Sequence, residues 1–355
     1  MHLVPTADTI PVAWGWFQFL LLLTFPIHLL AMNAMLGSLA VGVIQHFKND
    51  ETGRKLAHRI AVMLPLVIAF AVNFGVAPLL FVQVLYGQFM YTSSVLIGIF
   101  WILVIPILII AYYGAYLYDF KFSGLGAAGK WVGVFVLILL LCIGYFFSNN
   151  MLLMTLPDQF AQYFQNRDGS MLMSGHPAFL PRYLHMMAGS IAVGGLFVVL
   201  LGKFRADADP ELAERAASVG LRTFFVMTLI NVGFGTWYLV SLEKAQMMIF
   251  MGRNMAATAS FVLALLLVIM VLVASYKKRF WPTFGATIAL VYLMSFMRAW
   301  LRSDLLSEYF NLGQLVVEPQ YSPMIFFFVC LVGGLVCVGW LIAKTVEALA
   351  KEAST

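Results

Sequence analysis

This chain of 355 residues is 62% hydrophobic and only 10% charged, and its mean hydropathy is +0.93. A soluble domain needs far more charge to cover its surface, so the composition predicts an integral membrane protein. The formal charge of +5 comes from basic residues that are spread over loops, and this excludes a nucleic-acid-binding face.

Nine apolar runs are each long enough to cross a bilayer as a helix. They lie near 14–46, 60–87, 94–118, 131–150, 181–202, 221–242, 254–276, 283–301 and 324–344. The loops are mostly short, and no internal repeat is evident. We therefore predict an all-α membrane protein, with residues 1–355 forming one bundle of nine transmembrane helices. The first run follows neither a basic segment nor a small-residue cleavage site, so we expect it to be a retained span.

The longest connection, 151–180, contains NRDGSMLMSGHP and is expected to be a folded surface loop. The loops on its side of the membrane hold few basic residues. These are Arg167, Arg182, Lys244, Arg253, Arg298 and Arg302. All other Lys and Arg residues fall on the opposite side, so the positive-inside rule predicts an outer N-terminus and a cytoplasmic C-terminus. This is the arrangement of a multi-pass protein of a bacterial-type inner membrane.

His185 lies one turn into the apolar run 181–202. Small residues follow it at Ala188, Gly189, Ser190, Gly194 and Gly195. This pattern offers an imidazole and room for a flat ligand such as heme. The alternative is a core histidine that bonds a neighbouring carbonyl group. We favour the ligand, because ionisable residues inside a membrane are costly and usually functional.

The other candidate ligands share this depth. His28 lies 18 residues before His46, where the first run meets the cytoplasm. That separation corresponds to about 27 Å of helix, which places His28 near the outer edge of the hydrocarbon core. Arg253 and Met255 open the seventh run, also at the outer edge. We therefore expect the candidate ligands to cluster in the outer half of the membrane.

The remaining histidines receive no ligand role. His46 and His58 stand beside charged loop residues and are expected to be solvated, while His176 and His2 lie outside the membrane and are unassigned.

Five segments resemble subunit I of the cytochrome bd family of quinol oxidases. They read FPIHLLAMNAMLG, AVNFGVAPLLFVQVLYGQFMYTSS, FFSNNMLLMTLP, HPAFLPRYLHMMAGSIAVGGLF and GRNMAATASF. The resemblance covers most of the chain at low identity, with the segments in the same order and the same number of spans.

The resemblance implies that His185 and Met255 are the axial ligands of a low-spin heme b. Arg253 and Arg182 would then pair with heme propionates, and His28 would ligate a second heme of the high-spin type. We expect one to three hemes, with two favoured. No CxxCH motif occurs, which excludes covalently attached heme c.

The sequence departs from the family where oxygen is reduced. The family has glutamates in span three and near the end of span eight. Here span three has no carboxylate before Asp119, and span eight ends with YLMSFMRAWLRSDLL. Oxygen reduction needs protons inside the bilayer, so we expect a subunit without this chemistry. Met294 or Met297 could replace the missing glutamate ligand.

The polar quinol-binding loop after span six is shortened to SLEKAQMMIFMG. Glu243 is acidic and lies at the membrane edge near the proposed heme, so it is our candidate base for a quinol. The alternative is an ordinary interfacial pair of Glu243 with Lys244. Asn73, Gln83 and Tyr86 in span two are further polar candidates, although polar residues often only link helices.

The leading hypothesis is a heme b electron-transfer subunit that exchanges electrons between the quinone pool and an outer redox partner. That partner would be a periplasmic cytochrome c, such as a multiheme protein, or an iron–sulfur protein. One alternative is a divergent quinol:oxygen oxidase subunit. A further alternative is a non-redox transporter or scaffold with structural histidines, for which paired broken helices would be expected.

Overall fold

The computed structural model of the protein describes residues 3–48, 50–204 and 206–352, with side chains up to residue 348. Two residues used in the sequence analysis, His2 and Arg205, lie outside the described residues.

The described chain is built from α-helices, and its one extended pairing is an isolated parallel bridge between Ile10 and Val317. The helices are Trp14–Phe47 (α1), Glu51–Leu96 (α2), Gly98–Phe120 (α3), Ala128–Leu153 (α4), Phe179–Lys203 (α5), Pro210–Ser241 (α6), Lys244–Met247 (α7), Met255–Tyr276 (α8), Phe280–Leu305 (α9) and Tyr321–Glu352 (α10). All except α7 are long and apolar enough to cross a membrane. The predicted all-α class with nine spans is confirmed, and the protein is a multi-pass membrane protein. The predicted orientation stays a prediction.

Polar caps fix where several spans begin. The Asp50 side chain accepts a hydrogen bond of 2.6 Å from the backbone N–H of Gly53 at the start of α2. Asp209 caps α6 in the same way, and Pro210 follows as the first helical residue. Asn254 caps α8. These side chains satisfy N–H groups that a helix cannot satisfy by itself.

Helix α2 is longer than the predicted run 60–87, because it has 46 residues and ends at Leu96. At Tyr86 the backbone is non-helical (φ −137°, ψ 32°), so the chain bends there without leaving the helix. The connection between α4 and α5 folds against this end, as expected of a folded loop. It forms a 3₁₀ turn over Pro157–Phe164, and the N–H of Met171 donates to the Leu96 carbonyl at 3.1 Å.

The helices are arranged as two similar halves. In the first half α1 packs along α2, α2 on α3, and α3 on α4; in the second half α5 packs along α6, α6 on α8, and α8 on α9. Residues 28–50 align with 185–207 without a gap, which pairs His28 with His185. The sequence analysis noted no internal repeat, because the few identities between these segments are scattered among interchangeable apolar residues.

The two halves meet at equivalent residues of α1 and α5. A Cβ atom on Gly194 would lie 2.2 Å from the backbone carbon of Gly37, so the two backbones touch. One turn away, the Ser190 hydroxyl donates to Oδ1 of Asn33 at 2.7 Å. Contacts between equivalent residues are characteristic of a two-fold interface. The halves are therefore related by a pseudo-two-fold axis that passes between α1 and α5.

Helix α10 lies outside this arrangement. None of its apolar segment Tyr321–Ala348 is buried within the chain. Its aromatic contact with the bundle joins Phe328 and Trp16, whose ring centroids are 5.8 Å apart.

Substitution of Gly194 by alanine tests the contact between the halves. The added methyl group overlaps the α1 backbone, so we expect the midpoint of thermal unfolding to fall, with a cost of at least about 1–3 kcal/mol from overpacking. Gly339→Ala on α10 is the matched control, because nothing lies within 4 Å of the added Cβ atom. Equal melting temperatures for the two variants would contradict the close approach.

Candidate functional site

His28 lies on the backbone of α2. Its Nδ1 is 2.9 Å from the carbonyl oxygen of Ala71, and a Cβ atom on Gly75 would lie 2.8 Å from its Cε1. The ring therefore rests where α2 has no side chain, and one turn of α2 provides both the carbonyl and the glycine.

His185 repeats this arrangement in the second half of the chain. Its Nδ1 is 3.2 Å from the carbonyl oxygen of Asn231, and a Cβ atom on Gly235 would lie 3.0 Å from its Cε1. The surrounding sequences correspond as well, since VNFG at 72–75 matches VGFG at 232–235. Two equivalent histidines thus occupy equivalent pockets.

The carbonyl contacts define the tautomer of both imidazoles. A carbonyl oxygen can only accept a hydrogen bond, so Nδ1 carries the proton, and Nε2 of the neutral ring keeps its lone pair. A histidine that binds a metal through Nε2 usually has such a partner on Nδ1. A structural core histidine can make the same bond, so the choice between the two interpretations depends on what surrounds the rings.

Three arginines, Arg182, Arg298 and Arg302, lie close enough together to act on one another as like charges. Arg182 and Arg302 act on Arg298 as like charges, and the opposing electrostatic contribution comes from the Tyr238 hydroxyl group. Arg298 also acts electrostatically on His28. Since Arg182 is one turn before His185 on α5, this arginine cluster lies next to both histidines.

The arginine cluster is poorly compensated by the described residues. Arg302 is 8% exposed and its buried Nε has no hydrogen-bond partner. Its guanidinium carbon lies 4.7 Å from the centre of the Tyr86 ring, and that of Arg298 lies 4.8 Å from the Phe25 ring. Aromatic faces attract cations but do not neutralise them. Like charges in a low-dielectric environment repel strongly, so this cluster favours an anionic ligand.

The sequence analysis identified only part of this cluster. Arg182 was predicted to bind a propionate and belongs to it, whereas Arg253 forms an ion pair with Asp304. Arg298 and Arg302 were missed as binding residues. Their spacing of four residues, which places both on one face of α9, was the available signal.

Met255 is the first residue of α8 and its side chain is 81% exposed. Methionine often fills gaps in cores, but this exposure excludes that role for Met255. His185 is on α5 and Met255 is on α8. Helix α6 packs against both of these helices.

Glu243 and His176 lie together beyond the ends of α5 and α6. His185 and Gly235 touch, and they lie six residues, or about 9 Å, from the N-terminal end of α5 and the C-terminal end of α6, respectively. His176 precedes α5 and Glu243 follows α6, so both lie beyond the same end of this helix pair. Burial lowers the pKa of His176 below its ordinary value, and the Glu243 carboxylate raises it by a smaller amount. The sequence analysis left His176 unassigned.

The histidines at the opposite end of the bundle differ from each other. His46 is buried, its Nδ1 is 3.0 Å from the Tyr118 hydroxyl, and its ring stacks on Phe122 with centroids 4.6 Å apart. The expectation of a solvated His46 was wrong, because the end of α1 is covered by α3 and the turn after it. His58 stacks on Phe122 as well but is exposed, as expected.

The polar candidates of α2 have mainly local contacts. The Asn73 amide donates to the Ala69 carbonyl of its own helix at 2.8 Å. Tyr86 is buried beneath Arg302 and therefore belongs to the surroundings of the arginine cluster.

The described residues contain no group of three or more His, Cys, Asp and Glu side chains that could hold a bare metal ion. A porphyrin supplies four donors to its iron, so heme needs only one or two protein ligands. No known protein family profile matches this chain, and no curated protein matches it in sequence. The resemblance to the oxidase subunit therefore rests on the quoted segments.

Glu243→Gln tests the pairing beyond the N-terminal end of α5 and the C-terminal end of α6. The carboxylate favours the protonated imidazole, so its loss should lower the pKa of His176 further. The measurement is the pH dependence of His176 modification by diethyl pyrocarbonate, read by peptide mass spectrometry. Lys244→Gln is the control and should not lower this pKa, since it removes a neighbouring cation. An unchanged pKa of His176 in Glu243→Gln would show that the two groups are not coupled.

Proposed function

We propose that this protein is a heme b electron-transfer subunit that exchanges electrons between membrane quinol and a redox partner at the outer face. One observation carries the proposal. Two equivalent imidazoles, each fixed through Nδ1 to a helix carbonyl, lie near three arginines for which the described residues provide no acidic ion-pair partner.

The residues around each histidine fit a heme. His185 and His28 have the tautomer that leaves Nε2 free to ligate iron, and the carbonyl contact increases the basicity of the ligand nitrogen. Gly235 and Gly75 keep each imidazole against the neighbouring helix. When bound, heme supplies a one-electron carrier; the chain supplies its ligands, its orientation and its charge.

The arginine cluster fits the two carboxylates that heme b carries. A guanidinium group binds a carboxylate with two parallel hydrogen bonds. Arg182 is one turn from His185 on α5, and Arg298 acts electrostatically on His28, so the cluster has a member near each proposed heme. Arg253 remains a candidate only if its ion pair with Asp304 opens.

Met255 is proposed as the second ligand of the His185 heme. With heme bound, a thioether ligand from Met255 together with the His185 imidazole would raise its reduction potential and suit it to electron transfer. In the first half, the corresponding helix α3 starts at Gly98, as α8 starts at Met255. The proposed His28 heme has no thioether at that position.

Glu243 and His176 support a quinol site at the outer ends of α5 and α6. A quinol loses two protons when it loses two electrons, so it needs bases close to the electron acceptor. A carboxylate and an imidazole that is neutral at physiological pH provide two. The proposed outer partner, a cytochrome c or an iron–sulfur protein, would receive the electrons on this side.

The sequence of α3 supports a role in electron transfer rather than in oxygen reduction. It carries no carboxylate before Asp119, which is the last residue but one. A divergent oxidase would therefore need another proton route to a buried heme. Quinol-dependent oxygen uptake that carbon monoxide inhibits would decide for the oxidase.

One observation favours a transporter as the second candidate function. Internal repeats related by an axis along the membrane normal are common in transporters. A transporter with structural histidines would be colourless after purification, whereas a heme protein absorbs visible light.

Spectra of ligand variants test the heme assignment. The pyridine hemochrome of the purified protein should show heme b. His185→Ala should remove the low-spin signal, and Met255→Ala should leave a heme with altered spin state and a lower potential. His28→Ala should affect only a second, separable heme. A purified protein without any reduced-minus-oxidised α band would refute the proposal.

Two glycines of α6 provide the matched control for these spectra. Gly235→Val places a branched side chain against the His185 ring and should weaken the low-spin signal. Gly233→Val lies two residues away, where nothing is within 4 Å of the added Cβ atom, and should leave the signal unchanged.

Arg302→Leu separates a cofactor role from a structural one. A buried guanidinium group without an ion-pair partner destabilises a fold, so a purely structural arginine should give a more stable leucine variant. If Arg302 holds a propionate, the variant should bind heme about 10- to 100-fold more weakly and show a lower midpoint potential. Redox titration and thermal unfolding measure both. Arg253→Leu is the control and should change the potential less.

A further inference from the structure

A groove of about 400 Å³ lies between α8 and α9, away from the histidines and the arginine cluster. Its lining residues are Leu266, Ile269, Met270, Val273, Ala274, Lys277, Arg279 and Pro282. Apolar side chains form its length, and two cations stand at one end. This end faces the turn between the two helices, and the apolar part runs toward the membrane centre.

The length of the groove matches one leaflet of a bilayer. Leu266 and Lys277 are eleven residues apart on α8, which corresponds to about 16 Å of helix. Half of a hydrocarbon core of about 30 Å is about 15 Å. Leu266 and Ile269 are 58% and 59% exposed, so this wall of the groove is open to the lipid. An extended acyl chain fits along it.

Aromatic residues mark the membrane surface at the cationic end. Tyr276 is 76% exposed and Trp281 is 64% exposed, on the two sides of the turn between α8 and α9. Exposed tyrosine and tryptophan concentrate at the headgroup level of membranes. Lys277 and Arg279 are therefore at the depth of lipid phosphates.

The turn between α8 and α9 orients these cations. Lys278 has a positive φ of 55°, the N–H of Lys278 donates to the Ser275 carbonyl, and the N–H of Arg279 donates to the Ala274 carbonyl. This pair of bonds ends a helix with a left-handed residue, a position that glycine usually occupies. Lys277 and Arg279 line the groove, whereas the intervening Lys278 does not.

We propose that this groove binds one anionic phospholipid, with an acyl chain along α8 and its phosphate between Lys277 and Arg279. The argument is charge complementarity at the depth of the headgroups together with an apolar groove of leaflet length. Basic pockets between transmembrane helices are known to hold anionic lipid headgroups. The proposal does not depend on heme or quinol.

Native mass spectrometry of the full chain in detergent tests this, with phosphatidylglycerol and phosphatidylcholine of identical acyl chains as probes. We expect phosphatidylglycerol to be retained preferentially. Lys277→Gln and Arg279→Gln should each weaken its retention by about five-fold, since one cation near the surface contributes about 1 kcal/mol. Lys278→Gln removes the same charge from the same turn and should leave retention unchanged.

Ile269→Trp fills the apolar part of the groove and should lower retention while leaving the cations in place. Circular dichroism of each variant verifies that the helices are formed. Equal retention of the two lipids would overturn the proposal. So would an equal loss in Lys278→Gln and Lys277→Gln, or a copurified protein bound over α8 and α9.

Discussion

The backbone contact between Gly37 and Gly194 is the constraint on which the arrangement of the bundle depends. A side chain at either position would separate α1 from α5 and would break the hydrogen bond between Asn33 and Ser190. Helices α2 and α6 pack along α1 and α5, so the same contact determines the relative position of the two histidine pockets. The close approach of the two glycines thus influences the positions of His28 and His185, each of which lies nine residues before its glycine.

The arginine cluster is the feature that stability alone does not explain. Arg298 lies seven residues, or about 10 Å, inside the end of α9, and an arginine deep in a membrane costs about 2.5–3.5 kcal/mol or more. The acid nearest in sequence, Asp304, pairs with Arg253, and no acid of the described residues forms an ion pair with Arg298 or Arg302. A chain selected only for packing gains by replacing such groups with apolar ones. This cost is the physical reason to propose an anionic cofactor.

Hydropathy alone predicts the nine spans, because the bilayer sets their length and composition. The places where prediction failed depend on tertiary contacts. The sequence around His46 looks solvated, yet α3 and Phe122 cover it. Helix α2 continues through the bend at Tyr86, which apolar composition does not reveal. The candidate histidines were found because a lone imidazole in an apolar run is conspicuous. Arg298 and Arg302 are recognised as binding residues only from the structure, in which α9 contacts both α1 and α5.

The differences between the halves favour two unlike sites. Arg182 and Phe25 each lie three residues before the equivalent histidine, and both are near Arg298, one as a like charge and the other as an aromatic face. Asn231, whose Oδ1 is buried without a partner, and Ala71 each provide the carbonyl oxygen that contacts the equivalent histidine. The histidines and their supporting glycines are retained, while the charge and polarity around them differ. Two cofactors with the same ligand and different surroundings have different potentials, and such a difference gives electron transfer between them a direction.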